Sequence, residues 1–224
     1  MSSWHSFCLE GKSLLEVNQL YRILLQHMGP QNWWPADSKI EIILGAILVQ
    51  NTNWRNAAYA LESLTENTEL EPHEILNTKL EDLQLLIKSS GFYKAKAQTI
   101  LTILTWLNRF DFDYARIQAH YGKQLRKSLL ELKGIGEETA DVLMVYVFDG
   151  IEFIPDSYTR RIFSKLGYSG TERYHKLKQK IDLPQDFTNQ DANELHALLD
   201  NFGKAYFNSK NNGDFQFLEK YFVK

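Results

Sequence analysis

Cysteine is nearly absent: Cys8 is the only one in 224 residues. A lone thiol forms no intrachain disulfide and supplies no thiolate cluster, so Cys-rich metal sites cannot be built from this chain's own ligands. No apolar run approaches the roughly 20 residues that a membrane-spanning helix needs. The start Met1-Ser2-Ser3-Trp4-His5 is not a signal peptide. Both observations point to an intracellular protein that stays off membranes. Charge of one sign is not in excess either: 25 Lys and Arg against 28 Asp and Glu leave a net charge of −3. That balance excludes coating nucleic acid by bulk charge, but it leaves room for a local basic face. There are only 5 prolines, and no convincing period-two alternation marks a strand. The motifs H-E-x-x-H, G-x-x-x-x-G-K-[ST] and C-x-x-C are missing, as are internal repeats and low-complexity segments.

What remains is an ordinary soluble composition, 44% hydrophobic and 24% charged, arranged with helical period. Residues 14–28 carry a broad apolar face from Leu14 to Leu25, and Gly29-Pro30 ends it. After the loop 31–37, with Trp33 and Trp34 adjacent, Asp37 or Ser38 caps a helix from Ile40 to about Gln50. This helix is apolar on every side, so the spacing predicts a buried one. It ends in the polar tip Gln50-Asn51-Thr52-Asn53, followed by Trp54. Asn53 caps a third helix to about Leu64. Further helices are predicted over 72–77, 79–88, 94–107, 113–120, 122–131, 157–166, 172–180 and 188–208, with a weaker one at 213–222. The fold class is all-α.

The chain turns on Leu132-Lys133-Gly134-Ile135-Gly136-Glu137-Glu138-Thr139-Ala140. Gly134 and Gly136 are free to take positive φ and to let the backbone approach another molecule closely. A helix beginning just after them presents backbone N–H groups, which attract phosphate. Lys123, Arg126, Lys127 and Lys133 add positive charge on the approach side. The pattern reads as a helix–hairpin–helix that holds a nucleic-acid backbone without reading bases. An apolar run, Val142 to Phe148, follows, and then Phe153-Ile154-Pro155-Asp156 delivers a lone carboxylate ahead of another helix.

Hairpin, apolar helix and aspartate together resemble the helix–hairpin–helix DNA glycosylases of the endonuclease III superfamily. The resemblance implies two helical lobes with an active-site cleft between them: residues 33–149 as the lobe with the hairpin, and residues 1–32 plus 150–224 as the other. It implies that Asp156 is the catalytic aspartate, which stabilises the positive charge that develops on the sugar as a base leaves. An N-cap for the following helix is the plain structural reading of Asp156, and both hold together. Relatives that also cut the strand carry a lysine where this chain has Glu138. A carboxylate forms no Schiff base, so the resemblance implies a monofunctional enzyme that uses water. Gln50 matches the residue that fills the gap left by an extruded base, with Asn51 and Thr52 beside it. Lys133, Gly134, Ile135, Gly136 and Arg160 complete the expected DNA contacts, and Arg161 and Lys165 extend the basic face.

Trp33, Trp34 and Trp54 bracket the helix that delivers Gln50. Aromatic faces stack on bases, and a cationic base gains cation–π attraction. W-W-P-A and a buried helix ending Q-N-T resemble the 3-methyladenine DNA glycosylase III branch, which implies alkylated purines as substrate. The stretch Leu195 to Phe207 resembles the helix that enters the iron–sulfur loop of most relatives. Phe207 stands where the first cysteine would be, so no cluster is expected. Lys204 is the candidate for the modified (carbamylated) lysine of that branch, and a plain surface lysine is the alternative. His196 reads as a helix-face histidine packing locally. The resemblance further implies a monovalent cation at the hairpin carbonyls, double-stranded damaged DNA as partner, a monomer, and a cytoplasmic, nucleoid-associated location. Two other readings stay open: a bifunctional glycosylase/lyase for oxidised bases, and a module that binds distorted DNA without catalysis.

Overall fold

The structure, a computed structural model, describes residues 14–31, 36–208 and 213–223. Trp33 and Trp34 lie outside the described residues. Twelve α-helices are found among the rest: α1 (Val17–Met28), α2 (Lys39–Leu48), α3 (Trp54–Thr68), α4 (Pro72–Asn77), α5 (Leu80–Leu86), α6 (Tyr93–Asn108), α7 (Tyr114–Tyr121), α8 (Leu125–Leu130), α9 (Glu137–Tyr146), α10 (Ser157–Lys165), α11 (Tyr174–Lys178) and α12 (Asn189–Asn208). Short 3₁₀ turns cover Lys88–Ser90, Gly122–Gln124 and Gly213–Tyr221. No strand occurs among the described residues. The fold is all-α.

The chain forms two units: Met1–Trp33 with Phe153–Lys224, and Trp34–Glu152. In the second, α2 is the central rod. Ser38 caps it, its Oγ accepting from the Glu41 amide at 3.2 Å. Seven of its ten residues are buried, from Ile40 through Leu48, and it packs against α3, α6 and α9. Ile43, Leu44, Ile47 and Leu48 meet Ile100, Ile103, Leu104 and Leu143 in one apolar core. Burying such side chains gives about 1.5–3 kcal/mol each, which explains why a helix with no polar face is stable only at the centre.

In the first unit, α12 takes the central place and packs on α1, α10 and the 3₁₀ turn Gly213–Tyr221. Leu20 and Leu24 of α1, Ile162 and Phe163 of α10, and Leu198 and Phe202 of α12 share its core. A β-carbon at Gly203 would meet the Tyr158 ring carbon Cγ at 2.8 Å. Glycine there lets α10 come close to α12, and that approach positions Asp156. The segment read as a weak α-helix at 213–222 is 3₁₀ instead. Aromatic packing, with Phe215 and Phe217 against Phe202, supports this tighter i→i+3 ladder.

Candidate active site

In the second unit, the hairpin joins α8 to α9. The Ile135 amide donates to the Leu132 carbonyl at 3.0 Å and closes the turn. Gly134 has φ +93°; Gly136 does not share that conformation. It sits at φ −89°, ψ 178°, as the N-cap of α9. The sequence reading gave both glycines left-handed freedom, and the structure uses it at Gly134 alone. Lys133, Gly134 and Gly136 are exposed, whereas the Ile135 side chain is buried in the core. Only its backbone is presented outward.

Gln50 lies at the end of α2 and reaches the same hairpin. Its Nε2 donates to the Gly134 carbonyl at 3.2 Å and to Thr139 Oγ1 of α9 at 2.9 Å. Asn51 is exposed with φ 53°, a conformation that asparagine tolerates better than most residues. Thr52 Oγ1 accepts from Asn56 Nδ2 at 3.1 Å, and Asn53 caps α3 through the Asn56 amide at 3.0 Å. Trp54 opens α3 and is 48% exposed. Glu138 lies exposed in the first turn of α9. Carboxylates are favoured at that end by the helix dipole.

Arg126 is not available as a free cation. Its Nε and Nη2 donate to Asp141 Oδ1 and Oδ2 at 2.6 and 3.1 Å. Asp141 is fully buried in α9, and a buried carboxylate needs a partner of this kind. Of the four basic residues on the approach to the hairpin, Lys123, Lys127 and Lys133 are exposed. One feature escaped the sequence reading: Phe92, at φ 46° and 71% exposed, stands between the 3₁₀ turn Lys88–Ser90 and α6. In sequence the stretch Gly91-Phe92-Tyr93 signals only a turn ahead of a helix.

In the first unit, Asp156 is the N-cap of α10. Its Oδ1 accepts the Thr159 amide at 2.6 Å, and the residue is 9% exposed. Its Oδ2 lies 3.5 Å from Nε2 of His196 on α12. Burial alone would raise the carboxyl pKa. The hydrogen bond and charge of His196, with hydrogen bonding from Thr159, outweigh burial and hold it below the ordinary value. His196, read from sequence as a locally packing histidine, is 6% exposed and faces the aspartate directly. The missed signal is spacing: His196, Asp200 and Lys204 recur at i, i+4 and i+8 on one face of α12. Asp200 is buried, and its pKa is raised, by burial first and then by the charge of Asp156 despite the opposing Lys204. The Lys204 ammonium pairs with Asp200 Oδ2. A carbamate at Lys204 would set a second anion beside that carboxylate.

Arg160 donates from Nε to the Asp156 carbonyl at 3.3 Å. The Arg161 guanidinium lies 3.8 Å from the centre of the Phe207 ring. With one cysteine in the chain, the ligands of a four-cysteine cluster do not fit here. Among the described residues, no three His, Cys, Asp or Glu side chains gather as metal ligands do, and no helix is long and apolar enough to cross a membrane. The hairpin backbone does offer carbonyl oxygens, the ligand type that a monovalent cation takes. The Leu132 and Gly134 carbonyls each accept one hydrogen bond, and each keeps a second lone pair.

An all-α fold with a helix–hairpin–helix and a buried aspartate capping a helix N-terminus is the frame in which comparison with known proteins places the chain among DNA repair enzymes. The chain belongs to the HhH-GPD superfamily of base excision DNA repair proteins, whose family model matches residues 44–186, and it is a DNA glycosylase of that family. It is 35% identical over 200 residues to a Methanocaldococcus jannaschii protein provisionally named a DNA repair glycosylase, covering 87% of this chain and 90% of that one. Two solved structures share the fold. One is the Helicobacter pylori 3-methyladenine DNA glycosylase MagIII bound to 1,N6-ethenoadenine, with TM-score 0.71 and 24% identity, covering 86% of this chain and 99% of that chain. The other is a trapped covalent endonuclease III–DNA intermediate, with TM-score 0.71 and 18% identity, covering 89% and 92%.

Proposed function

We propose that the protein is a monofunctional glycosylase that hydrolyses the N-glycosidic bond of alkylated purines, of the 3-methyladenine type, in double-stranded DNA. The observation that carries this reading is Asp156, a carboxylate buried at a helix N-terminus yet held ionised. A departing base leaves the sugar oxocarbenium-like, and a fixed anion in a water-poor site stabilises that charge. Water then bonds to C1′. The C1′–N bond breaks with its electron pair going to the base, and the proton of the water passes to Asp156 or to solvent. The products are a free base and an abasic site in an uncut strand.

In this reading the hairpin backbone from Lys133 to Gly136 grips a phosphate. The Leu132 and Gly134 carbonyls would hold a monovalent cation, which would supply positive charge for a phosphate. Gln50, with Asn51 and Thr52, fills the space of the extruded base, which offsets an unstacking cost of a few kcal/mol. Trp54, with Trp33 and Trp34, supplies aromatic faces for a cationic purine. Glu138 supports the monofunctional assignment, because its carboxylate cannot attack the sugar as an amine does. The fold shared with a 3-methyladenine glycosylase supports the substrate class.

The test is base release from methylated duplex DNA, wild type beside Asp156→Asn, with products separated by chromatography. Release of 3-methyladenine by the wild type alone is the expected result, and no release from alkylated DNA overturns the substrate assignment. A second reading, a glycosylase/lyase, draws on the equal fold similarity to endonuclease III and on the exposed Lys133. Borohydride decides between them: a trapped protein–DNA adduct overturns the monofunctional assignment.

A further inference from the structure

We infer that His196 is the positioning residue of Asp156, and that with Asp200 and Lys204 behind it on α12 it fixes the orientation and ionisation of that carboxylate. The catalytic consequence rests on the glycosylase reading above; the electrostatic part does not.

Both oxygens of Asp156 are engaged from different elements. Oδ1 is held by the first turn of its own helix, through the Thr159 amide at 2.6 Å. Oδ2 faces His196 Nε2 of α12 at 3.5 Å. Two anchors on two helices fix the plane of a carboxylate, where an N-cap bond alone leaves it free to pivot. A buried carboxylate without such a partner tends to protonate. A protonated Asp156 neither stabilises a cationic sugar nor accepts a proton from water.

Titratable and charged groups reach the pair from three helices among the described residues. From α12 come His196, Asp200 and Lys204. Asp200 and His196 attract each other, and Asp200 and Asp156 repel. From α10, Arg160 Nε turns to the Asp156 carbonyl, not to its carboxylate. From α11, Lys178 Nζ donates to the Phe153 carbonyl at 3.0 Å. Asp156 and Asp200 therefore stand on either side of His196 in charge terms. Lys204 partly neutralises the more exposed end of the row. The i, i+4, i+8 spacing keeps all three side chains on one face of a continuous helix, so the row is as rigid as α12 itself.

The experiment uses the full chain without DNA, labelled with ¹³C at aspartate carboxyls. The Asp156 signal is assigned by its loss in Asp156→Asn, and it is titrated in wild type, His196→Leu and His196→Gln, each checked for folding by its melting curve. Leucine removes both proton donor and charge, and glutamine keeps a donor. The expected result is an Asp156 midpoint displaced to higher pH in His196→Leu and less so in His196→Gln. If the leucine variant does not fold, the glutamine variant decides. An unchanged midpoint in a folded variant overturns the inference. Single-turnover base release on methylated duplex gives the second readout. Its acid limb should move to higher pH, and its plateau should fall on the order of 10²-fold, as misplacing a reacting group does. A wild type that releases no base counts against the proposed function, while the titration still decides the role of His196.

Discussion

Gly134 and Gly136 stand two residues apart and look interchangeable in the sequence, but a β-carbon would fare differently on each. At Gly134, φ is +93°, and the added carbon would meet Thr99 Cγ2 at 2.8 Å and Thr99 Cβ at 2.9 Å. At Gly136, no atom lies within 4 Å. Gly134→Ala should therefore cost about 2–4 kcal/mol, from left-handed strain and overpacking together. Gly136→Ala should cost about 1 kcal/mol or less, the difference between two residues at an N-cap. Urea unfolding of both variants checks this, and equal losses would contradict the distinction. The same contrast marks what single residues disclosed. Asp156 is legible as the N-cap of α10 because a cap and the helix it opens are local sequence information. His196 is not: it meets Asp156 from forty residues further along the chain, and no pattern within α12 names the carboxylate it faces. Arg126 reads as surface charge in the sequence, whereas its Nε and Nη2 donate to Asp141, buried on the next helix.

Helices were legible where period and caps agreed. Ser38, Asn53 and Gly29 mark α2, α3 and the end of α1 as the sequence indicates. What the pattern did not show is how α2 ends. Lys96 of α6 is 3% exposed, and its ammonium donates to the Leu48 carbonyl at 2.8 Å and the Ser90 carbonyl at 2.6 Å. One buried cation thus ties the end of α2, two residues before Gln50, to the 3₁₀ turn two residues before Phe92. A cation suits the negative end of a helix, and burial lowers its pKa. In sequence, Lys96 is a lysine on a helix like any other. Lys96→Met keeps the volume but strands both carbonyls, at about 1–3 kcal/mol in total after relief of the buried charge. Amide hydrogen exchange should show residues 49–53 and 88–93 losing protection together, with α10 and α12 unchanged. Loss in one turn only would mean that Lys96 does not couple them.

At the scale of the molecule, a net charge of −3 hides the buried carboxylates Asp141, Asp156 and Asp200, and the effects of the last two on stability run in opposite directions. Asp156 titrates below its ordinary value when folded. Its contribution is present above the unfolded carboxyl pKa and is lost as pH falls through the depressed folded value. Asp200 titrates above its ordinary value. Its contribution is present below the unfolded pKa and is lost as pH rises through the raised one. Between those limits the folded chain binds more protons at Asp200 than the unfolded chain does, so this residue makes stability decline with rising pH. Asp200→Asn removes that slope. Lys204 loses its partner in the variant, but it is half exposed and water replaces the contact at small cost. Denaturant unfolding of wild type and Asp200→Asn, from mildly acidic to neutral pH, should show the variant gaining on the wild type as pH rises. Asp156→Asn should show the reverse trend at the acid end, losing ground as pH climbs from the depressed folded value up to the ordinary carboxyl pKa and holding a constant deficit above it. If Asp200→Asn instead lost stability relative to wild type with rising pH, the Lys204 pair would outweigh burial, and Asp200 would be an ordinary ionised partner. The opposed signs leave Asp200 the easier of the two to protonate, so the negative charge facing His196 stays at Asp156.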